Sequence, residues 1–131
     1  MKRLILIIMA ALGVSCGCRA QSEVLSLPPA EFAAAVEADT TACVLDVRRP
    51  AELAEGMLPD AHNIDFLNPR EFAAAVRKLP KDRTYYIYCR SGRRSMSAAQ
   101  QLRSEGYRVV DMAGGFEAYK KTGLPVVMPK K

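Results

Sequence analysis

The sequence predicts a single α/β domain whose central sheet is mainly parallel and is flanked by helices on both faces. Short apolar runs at residues 43–47 and 84–88 are typical of buried strands. They alternate with alanine-rich stretches of helical character, and strands that alternate with helices form parallel sheets. About 110 residues follow the N-terminal segment, which is enough for one core and too few for two.

The domain begins with a short strand or lead-in and a helix. Residues 23–27 are predicted to form an edge strand, and the proline pair that ends it also favours the start of a helix. Residues 30–38 are predicted to be helical because they are rich in alanine and carry apolar side chains four apart. The run 43–47 is apolar apart from one acid, as expected for a buried parallel strand.

The middle of the domain alternates short helices with loop and strand. Residues 50–55 begin with proline and are followed by glycine, which predicts a short helix. Residues 57–66 are mostly loop, with Ile64 a candidate for a short strand. A second alanine-rich helix is predicted over 69–78, and the strand at 84–88 comes next.

The last third carries a helix, a strand and a final short helix. The helix is predicted over 95–105, with Ser95 or Ser97 as its N-cap and a glycine just past its end. A strand follows at 108–111. A glycine pair then forms a turn before the helix at 116–121.

The first 20 residues are predicted to be a secretory signal peptide, and residues 21–131 the folded domain. Lys2 and Arg3 precede the apolar run 4–14, which small residues follow, as in a signal peptide. The run is short for a membrane span, which needs roughly 20 residues. We therefore expect an exported protein of the periplasm or cell envelope.

The cleavage position has three candidates. Residues 12–16 resemble a bacterial lipobox, in which Cys16 becomes the lipidated first residue, although Gly13 stands where leucine is usual. Cys18 is a second candidate, and ordinary cleavage after Ala20 is a third. Lipidation at Cys16 is favoured. It would allow membrane attachment if more than one acyl chain is present.

The positive charge of the chain is partly a property of this segment. Lys2, Arg3 and Arg19 account for three of the five net positive charges, which leaves +2 for residues 21–131. Nucleic-acid binding needs cations clustered on one face, and it is not predicted here. The remaining cations gather just after Cys89, which indicates a small anion as ligand.

Two of the four cysteines, Cys43 and Cys89, lie in the folded part. Cys43 opens an apolar run and is predicted to be a buried small residue. A Cys43–Cys89 disulfide is disfavoured because the two residues lie at opposite ends of their apolar runs, too far apart for a bridge. His62 is the only histidine and is predicted to have a loop or packing role. No residues have metal-ligand spacing, so neither a metal nor another cofactor is predicted.

Cys89 is the candidate nucleophile. It follows the strand at 84–88, and Asp46 and Arg48 lie at the end of another apolar run. Ligands bind at the carboxyl ends of parallel strands, so these residues are expected to face one crevice. Nearby cations and a helix N-terminus both favour the reactive thiolate form of cysteine.

The residues after Cys89 are predicted to form an anion-binding loop. Its glycine supplies the freedom that a tight loop needs, and its backbone N–H groups would point at the sulfur as an anion-binding nest. Arg90 and Arg93 are the candidates for contact with an anionic donor. The predicted loop consists of Arg90, Ser91, Gly92, Arg93, Arg94 and Ser95.

Five motifs together resemble a single rhodanese domain, a family of sulfurtransferases, over roughly residues 24–126. In chain order they are residues 45–48 (LDVR), 52–56 (ELAEG), 59–64 (PDAHNI), 88–95 (YCRSGRRS) and 114–116 (GGF). The resemblance implies that a sulfane sulfur passes from a donor such as thiosulfate to Cys89, forming a persulfide, and then to cyanide or a thiol. It also implies that Asp46 pairs with Arg94 to support the loop, with Arg48 as a further supporting residue.

The chain departs from the family pattern at three places. Residues 56–58 read Gly-Met-Leu where the family usually has Gly-His-Ile, Asp60 stands where glycine is usual, and Tyr119 replaces a common tryptophan. We expect these changes to leave the fold intact and to affect substrate access.

Two other functions share features of this sequence. Phosphatases and arsenate reductases on the same fold have arginine six places after the cysteine, whereas Arg94 is five places after Cys89. The shorter loop suits a sulfur atom, so negligible phosphatase activity is predicted.

The alternative of a sulfur carrier without turnover, or of a protein-binding module at the cell envelope, stays open. The expected partners are a small sulfur-containing anion and a thiol acceptor, and the chain is expected to be a monomer.

Overall fold

The computed structural model describes residues 23–129, so the predicted signal peptide and its lipidation candidate Cys16 lie outside the described residues. Within this range the chain alternates strands with helices. In chain order the elements are β1 (Leu25–Leu27), α1 (Pro29–Ala38), β2 (Ala42–Asp46), a 3-10 helix (Pro50–Glu55), β3 (His62–Asn63), α2 (Pro69–Arg77), β4 (Thr84–Tyr88), α3 (Arg93–Ser104), β5 (Arg108–Met112) and α4 (Gly115–Lys120).

The five strands form one parallel sheet in the order β1-β5-β4-β2-β3. The most deeply buried strand, β4, lies at the centre between β5 and β2, and the edges are formed by the short strands β1 and β3. This arrangement confirms the predicted fold class. The third strand consists of His62–Asn63, so Ile64 lies just after it.

Alternation along β4 divides the core into two layers. Tyr85 and Ile87 face a core that contains side chains of α2 and α3, whereas Tyr86 and Tyr88 face a core that contains side chains of α1 and α4. All four side chains are buried, and burying one large apolar side chain contributes about 1.5–3 kcal/mol. The helices therefore flank both faces of the sheet, as predicted.

The ends of β2 and β4 lie side by side. Asp46 pairs with Tyr88 in the strand register, and the Val47 N–H donates to the Tyr88 carbonyl at 3.0 Å. Cys89 follows Tyr88 directly. The two strand ends are therefore adjacent, as expected. The expected single crevice is not seen, because Asp46 bonds to Tyr88 in the core beside α1 and α4, whereas Cys89 packs in the core beside α2 and α3.

Cys43 lies at the other end of the same strand pair. It stands opposite Tyr85, four residues before Cys89, which corresponds to about 13 Å along a strand. Both cysteines are free thiols, and that separation excludes a disulfide between them. The prediction that Cys43 is fully buried was wrong. The residue is only partly buried, because it lies one residue from the amino end of β2.

Two further features bear on the sequence predictions. The prediction of a serine N-cap for α3 was wrong, because this helix begins at Arg93 and its N-cap is Gly92. Within residues 23–129, none of the helices has the length and apolar character that crossing a bilayer requires.

Candidate active site

Cys89 lies at the carboxyl end of the central strand and is completely buried. Its Sγ accepts a hydrogen bond from the Gly92 N–H, with 3.1 Å between the two heavy atoms. A backbone N–H directed at the sulfur favours a negative charge on it, as expected of an anion-binding loop. The prediction that loop N–H groups point at Cys89 is met at Gly92.

Gly92 occupies a backbone conformation that suits glycine. Its φ is 103°, in the left-handed region, and its carbonyl accepts from the Met96 N–H at 3.2 Å in the first turn of α3. One residue therefore ends the loop, caps the helix and presents its N–H to the sulfur.

The start of α4 holds the loop from the outside. The Cys89 and Arg90 carbonyls accept from the Phe116 and Glu117 N–H groups at 2.8 and 3.0 Å. Gly115 makes this close approach possible, because a Cβ there would lie 2.5 Å from the Arg90 oxygen and 2.8 Å from the Cys89 oxygen. The glycine pair before α4 therefore belongs to the support of the loop.

Arg94 is held by Glu52 in the 3-10 helix. Its Nη1 and Nη2 lie 2.7 and 2.9 Å from the two carboxylate oxygens, which is a bidentate pair. This hydrogen bonding lowers the pKa of Glu52 to about 2, against a smaller opposing effect of burial. The implied Asp46–Arg94 pair was therefore wrong.

Asp46 instead pairs with Arg48, two residues along the chain. Arg48 Nη2 lies 2.6 Å from Asp46 Oδ2, and both side chains are buried. The same nitrogen donates to the Gly56 carbonyl at 2.7 Å, and the guanidinium lies 4.3 Å from the centre of the Phe116 ring. Burial lowers the pKa of Arg48, but the hydrogen bonds and charge of Asp46 outweigh it, so the net shift is upward. These contacts make both residues supports of the strand end and of the segment after the 3-10 helix.

Tyr88 completes this buried group, and the sequence analysis did not single it out. Its hydroxyl donates to Asp46 Oδ2 at 2.6 Å and accepts from the Leu58 N–H at 3.1 Å. Burial, followed by the charge and hydrogen bond of Asp46, raises the pKa of Tyr88 far above its ordinary value. A tyrosine directly before the cysteine was the only sequence signal.

The two arginines predicted to contact a donor differ in their surroundings. Arg90 Nε donates to Glu117 at 2.9 Å, and its Nη1 lies 3.5 Å from Glu55. Arg93 is exposed and has no carboxylate partner among residues 23–129. Ser91 is also exposed. The cations around Cys89 are thus largely neutralised, and Arg93 carries the unpaired charge.

A second buried carboxylate, Asp111 in β5, lies behind the loop and was missed by the sequence analysis. Its Oδ1 accepts from the Ser95 hydroxyl at 2.6 Å, and its Oδ2 accepts from the Ser26 hydroxyl at 2.9 Å. Ser95 Oγ also lies 3.3 Å from the Gly92 carbonyl oxygen. Burial raises the pKa of Asp111, and these hydrogen bonds oppose the rise only in part. The available signal was an acid at the end of an apolar strand.

His62 lies away from the cysteine. His62 is exposed on the edge strand β3 and lies outside the group around Cys89. Within the described part of the chain, no three histidine, cysteine or acidic side chains are grouped as a metal site would require. The expectation of no metal stays a prediction.

Comparison with known proteins places this geometry in a family. The model of the rhodanese-like domain matches residues 28–122. A sulfurtransferase of Allochromatium vinosum is 43% identical over 95 residues, covering 71% of this chain and 86% of that protein. The thiosulfate sulfurtransferase GlpE of Pseudomonas fluorescens is 33% identical over 102 residues, covering 77% of this chain and 89% of that protein.

The solved structures agree with the sequence relatives. A rhodanese-related protein of Thermoplasma volcanium superposes with a TM-score of 0.70 at 31% identity, covering 80% of this chain and 99% of that one. Nearly the whole length of the Thermoplasma volcanium protein therefore shares the fold of this chain. With the sheet, the cysteine loop and the sulfurtransferase relatives considered together, this chain is a member of the rhodanese-like domain family.

Proposed function

We propose that this protein is a sulfurtransferase that moves a sulfane sulfur from a donor such as thiosulfate to a thiol or cyanide through a persulfide on Cys89. The observation that carries the proposal is the hydrogen bond from the Gly92 N–H to Cys89 Sγ, in a loop at the end of the central strand. The sulfurtransferase names of its relatives support the reaction class, and the GlpE relative supports thiosulfate as a donor.

The first step loads the cysteine. The Cys89 thiolate attacks the outer sulfur of thiosulfate, a sulfur–sulfur bond forms, and the bond to the sulfonate breaks with release of sulfite. The electron pair of the broken bond leaves with sulfite, so no external oxidant or reductant is needed. The Gly92 N–H that faces the sulfur would stabilise the anionic persulfide that results.

The second step unloads it. Cyanide, or the thiolate form of an acceptor, attacks the outer sulfur of the persulfide. The sulfur–sulfur bond breaks, the Cys89 thiolate is restored, and thiocyanate or an acceptor persulfide is released. The thiolate serves as both nucleophile and leaving group, so a separate general base is not required.

Access to the sulfur bears on how fast this cycle runs. Cys89 has no exposed surface, so a donor atom larger than water reaches it only after side chains at the rim move. Arg90, Ser91 and Arg93 are the exposed residues of the loop. We expect them to make the opening, because the backbone of the loop is held on its other side by α4.

The decisive experiment compares Cys89→Ser with Cys43→Ser, since each removes one free thiol from the folded domain. We expect Cys43→Ser to retain thiosulfate-dependent formation of thiocyanate and Cys89→Ser to lose it. Mass spectrometry of the protein treated with thiosulfate should show the gain of one sulfur atom on the peptide that contains Cys89. Equal activity of both variants would contradict the proposal.

The same experiment separates the alternative of a carrier or binding module. One sulfur on Cys89 without turnover would indicate a carrier that delivers its sulfur to a protein partner. Neither an adduct nor turnover would indicate a binding module. The observation that favours a carrier is the complete burial of Cys89, because a buried sulfur is poorly accessible to a small-molecule acceptor.

We further propose that the protein is exported, as a monomer, to the periplasm or cell envelope. The support is the basic and apolar pattern of residues 1–20, with Cys16 as the lipidation candidate. Mass analysis of the N-terminal peptide of protein purified from a membrane fraction tests this. Unprocessed protein in the cytoplasmic fraction would contradict it.

A further inference from the structure

We propose that Asp111 is a positioning residue that, through Ser95, holds Gly92 in place against the sulfur of Cys89. The catalytic consequence of this inference depends on the proposed sulfurtransferase function, whereas its structural consequence does not. Asp111 lies in β5, outside the motifs that identified the site.

The cysteine loop, residues 89–92, is held in a different way at each of its two ends. One end, Cys89, is fixed because β4 is hydrogen-bonded to strands on both sides. The other end, Gly92, is the N-cap of α3, so its position depends on where that helix lies over the sheet. The distance from the Gly92 nitrogen to Cys89 Sγ is therefore set by how the first turn of α3 is attached to the strands.

The hydrogen bond between Ser95 and Asp111 makes that attachment. Ser95 lies in the first turn of α3 and has no exposed surface, and Asp111 is 2% exposed. The two oxygen atoms are 2.6 Å apart, which is the usual distance for a charge-assisted hydrogen bond from a hydroxyl to a carboxylate. This hydrogen bond joins the first turn of α3 to β5.

Ser95 can donate only one hydrogen bond, so Asp111 determines whether its hydroxyl bonds to β5 or to Gly92. A serine hydroxyl has one proton, and two oxygen atoms lie within its reach, Asp111 Oδ1 at 2.6 Å and the Gly92 carbonyl at 3.3 Å. The shorter contact takes the proton when Asp111 is ionised. Without the carboxylate, the hydroxyl would turn to the Gly92 carbonyl, and the first turn of α3 would lose its hydrogen bond to β5.

Ser26 supplies a matched control. Its hydroxyl also donates to Asp111, but to Oδ2 and from β1, and no side-chain hydrogen bond within residues 23–129 joins it to α3 or the loop. Ser26→Ala and Ser95→Ala therefore each remove one hydroxyl donor from the same carboxylate. Only Ser95→Ala removes the link to Gly92.

Asp111→Asn tests whether the hydrogen bond or the negative charge matters. The amide oxygen of asparagine can accept from Ser95 while its NH₂ group donates to Ser26, so the attachment of α3 is kept without a charge. We expect Asp111→Asn to retain most of the sulfur-transfer rate. Asp111→Ala and Ser95→Ala should lower kcat about tenfold, because a misplaced N–H stabilises the persulfide poorly.

The first measurement is the amide resonance of Gly92 in protein labelled with ¹⁵N-glycine, in which only the eight glycines are observed. The N–H that donates to sulfur is deshielded. We expect it to move upfield in Asp111→Ala and Ser95→Ala and to stay in place in Ser26→Ala and Asp111→Asn. If Asp111→Ala fails to fold, Ser95→Ala carries the same comparison from the other end of the hydrogen bond.

The outcomes separate this inference from the proposed function. An unchanged Gly92 resonance in Ser95→Ala, or an equal shift in Ser26→Ala, would overturn the positioning role whatever the activity. A shifted resonance in a protein that transfers no sulfur would support the positioning role and contradict the proposed function. A loss of kcat that is equal in all four variants would indicate a structural effect and overturn the inference.

Discussion

Arg94 binds Glu52 through two parallel hydrogen bonds, although the family resemblance implied Asp46 as its partner. The pair connects the first turn of α3 to the 3-10 helix, and both side chains are about four-fifths buried. Asp46 is not available to Arg94, because Arg48 and Tyr88 already occupy its oxygen atoms. This support of the cysteine loop thus comes from the 3-10 helix and not from Asp46 at the end of β2.

The first prediction concerns the stability that this pair provides. Glu52→Gln keeps the shape of the side chain but removes its charge, and we expect it to lower the free energy of unfolding by about 1–2 kcal/mol at neutral pH. The folded pKa of Glu52, about 2, lies below its ordinary value of 4.5. The stabilisation is therefore fully present above 4.5 and is lost as the pH falls through about 2.

Urea unfolding at several pH values measures this effect. Glu37→Gln is the control, since Glu37 is exposed and forms no ion pair within residues 23–129. A stability difference between Glu52→Gln and wild type that does not shrink in acid would contradict the prediction.

The second prediction concerns recognition of an anionic donor. Arg93→Ala removes the loop arginine that has no carboxylate partner within residues 23–129, so we expect the KM for thiosulfate to rise about five- to tenfold. Arg90→Ala should raise it less, because Glu117 and Glu55 already offset that charge. Since Arg93 is exposed, the effect should weaken as the salt concentration rises.

Arg108→Ala serves as the control for net charge. It removes one positive charge at the amino end of β5, whereas Cys89 lies beyond the carboxyl end of the neighbouring strand β4. The measurement is the KM for thiosulfate of the three variants, taken from steady-state kinetics at two ionic strengths. A larger effect for Arg90→Ala than for Arg93→Ala would show that the donor binds elsewhere on the rim.

The third prediction uses two glycines that share a left-handed backbone. Gly115 and Gly123 have φ values of 63° and 81°, so alanine is strained at both and should cost about 1 kcal/mol at each. A Cβ at Gly123 would meet nothing within 4 Å, whereas one at Gly115 would press on the Cys89 and Arg90 carbonyls. We expect Gly115→Ala to lower sulfur transfer about a hundredfold and Gly123→Ala to leave it nearly unchanged.

Activity per folded molecule and the unfolding midpoint distinguish the two effects. Gly123→Ala measures the conformational strain alone. If the two variants lost activity to the same extent, the contact between Gly115 and the loop would have no role in holding Cys89.

The fourth prediction concerns the pH dependence of stability at Asp111. Burial raises the pKa of this carboxyl, so the folded protein holds the proton more tightly than the unfolded chain does. Stability from this group is present below its unfolded pKa and is lost as the pH rises through the folded value. We therefore expect Asp111→Asn to gain stability relative to wild type as the pH rises from about 4 to about 7.

Urea unfolding of both proteins across this range checks the sign. Asp82→Asn, in an exposed turn before β4, is the control for loss of one carboxylate. A relative stability of Asp111→Asn that falls with increasing pH would contradict a raised pKa in the folded state.

The fold could be predicted because its signals are local. Apolar runs such as residues 43–47 and 84–88 mark buried strands, and proline and glycine mark where helices begin and end. The same patterns placed Cys89 and Asp46 at one edge, because parallel strands end together. The N-cap of α3 escaped prediction because Ser95 resembles a cap in sequence, yet Asp111 binds its hydroxyl.

The partners of charged residues could not be predicted in the same way. Arg94 had several carboxylates within reach of a loop, and the choice of Glu52 depends on how the 3-10 helix lies against α3. Asp111 looked like an ordinary acid at a strand end. Its importance appears only when β1, β5 and α3 bring Ser26 and Ser95 to its two oxygen atoms.

The two outermost strands of the sheet are brief, with three residues in β1 and two in β3. Another chain that approached either side would find only a few unpaired peptide groups with which to continue the ladder. Short edge strands of this kind disfavour edge-to-edge pairing of copies into larger aggregates.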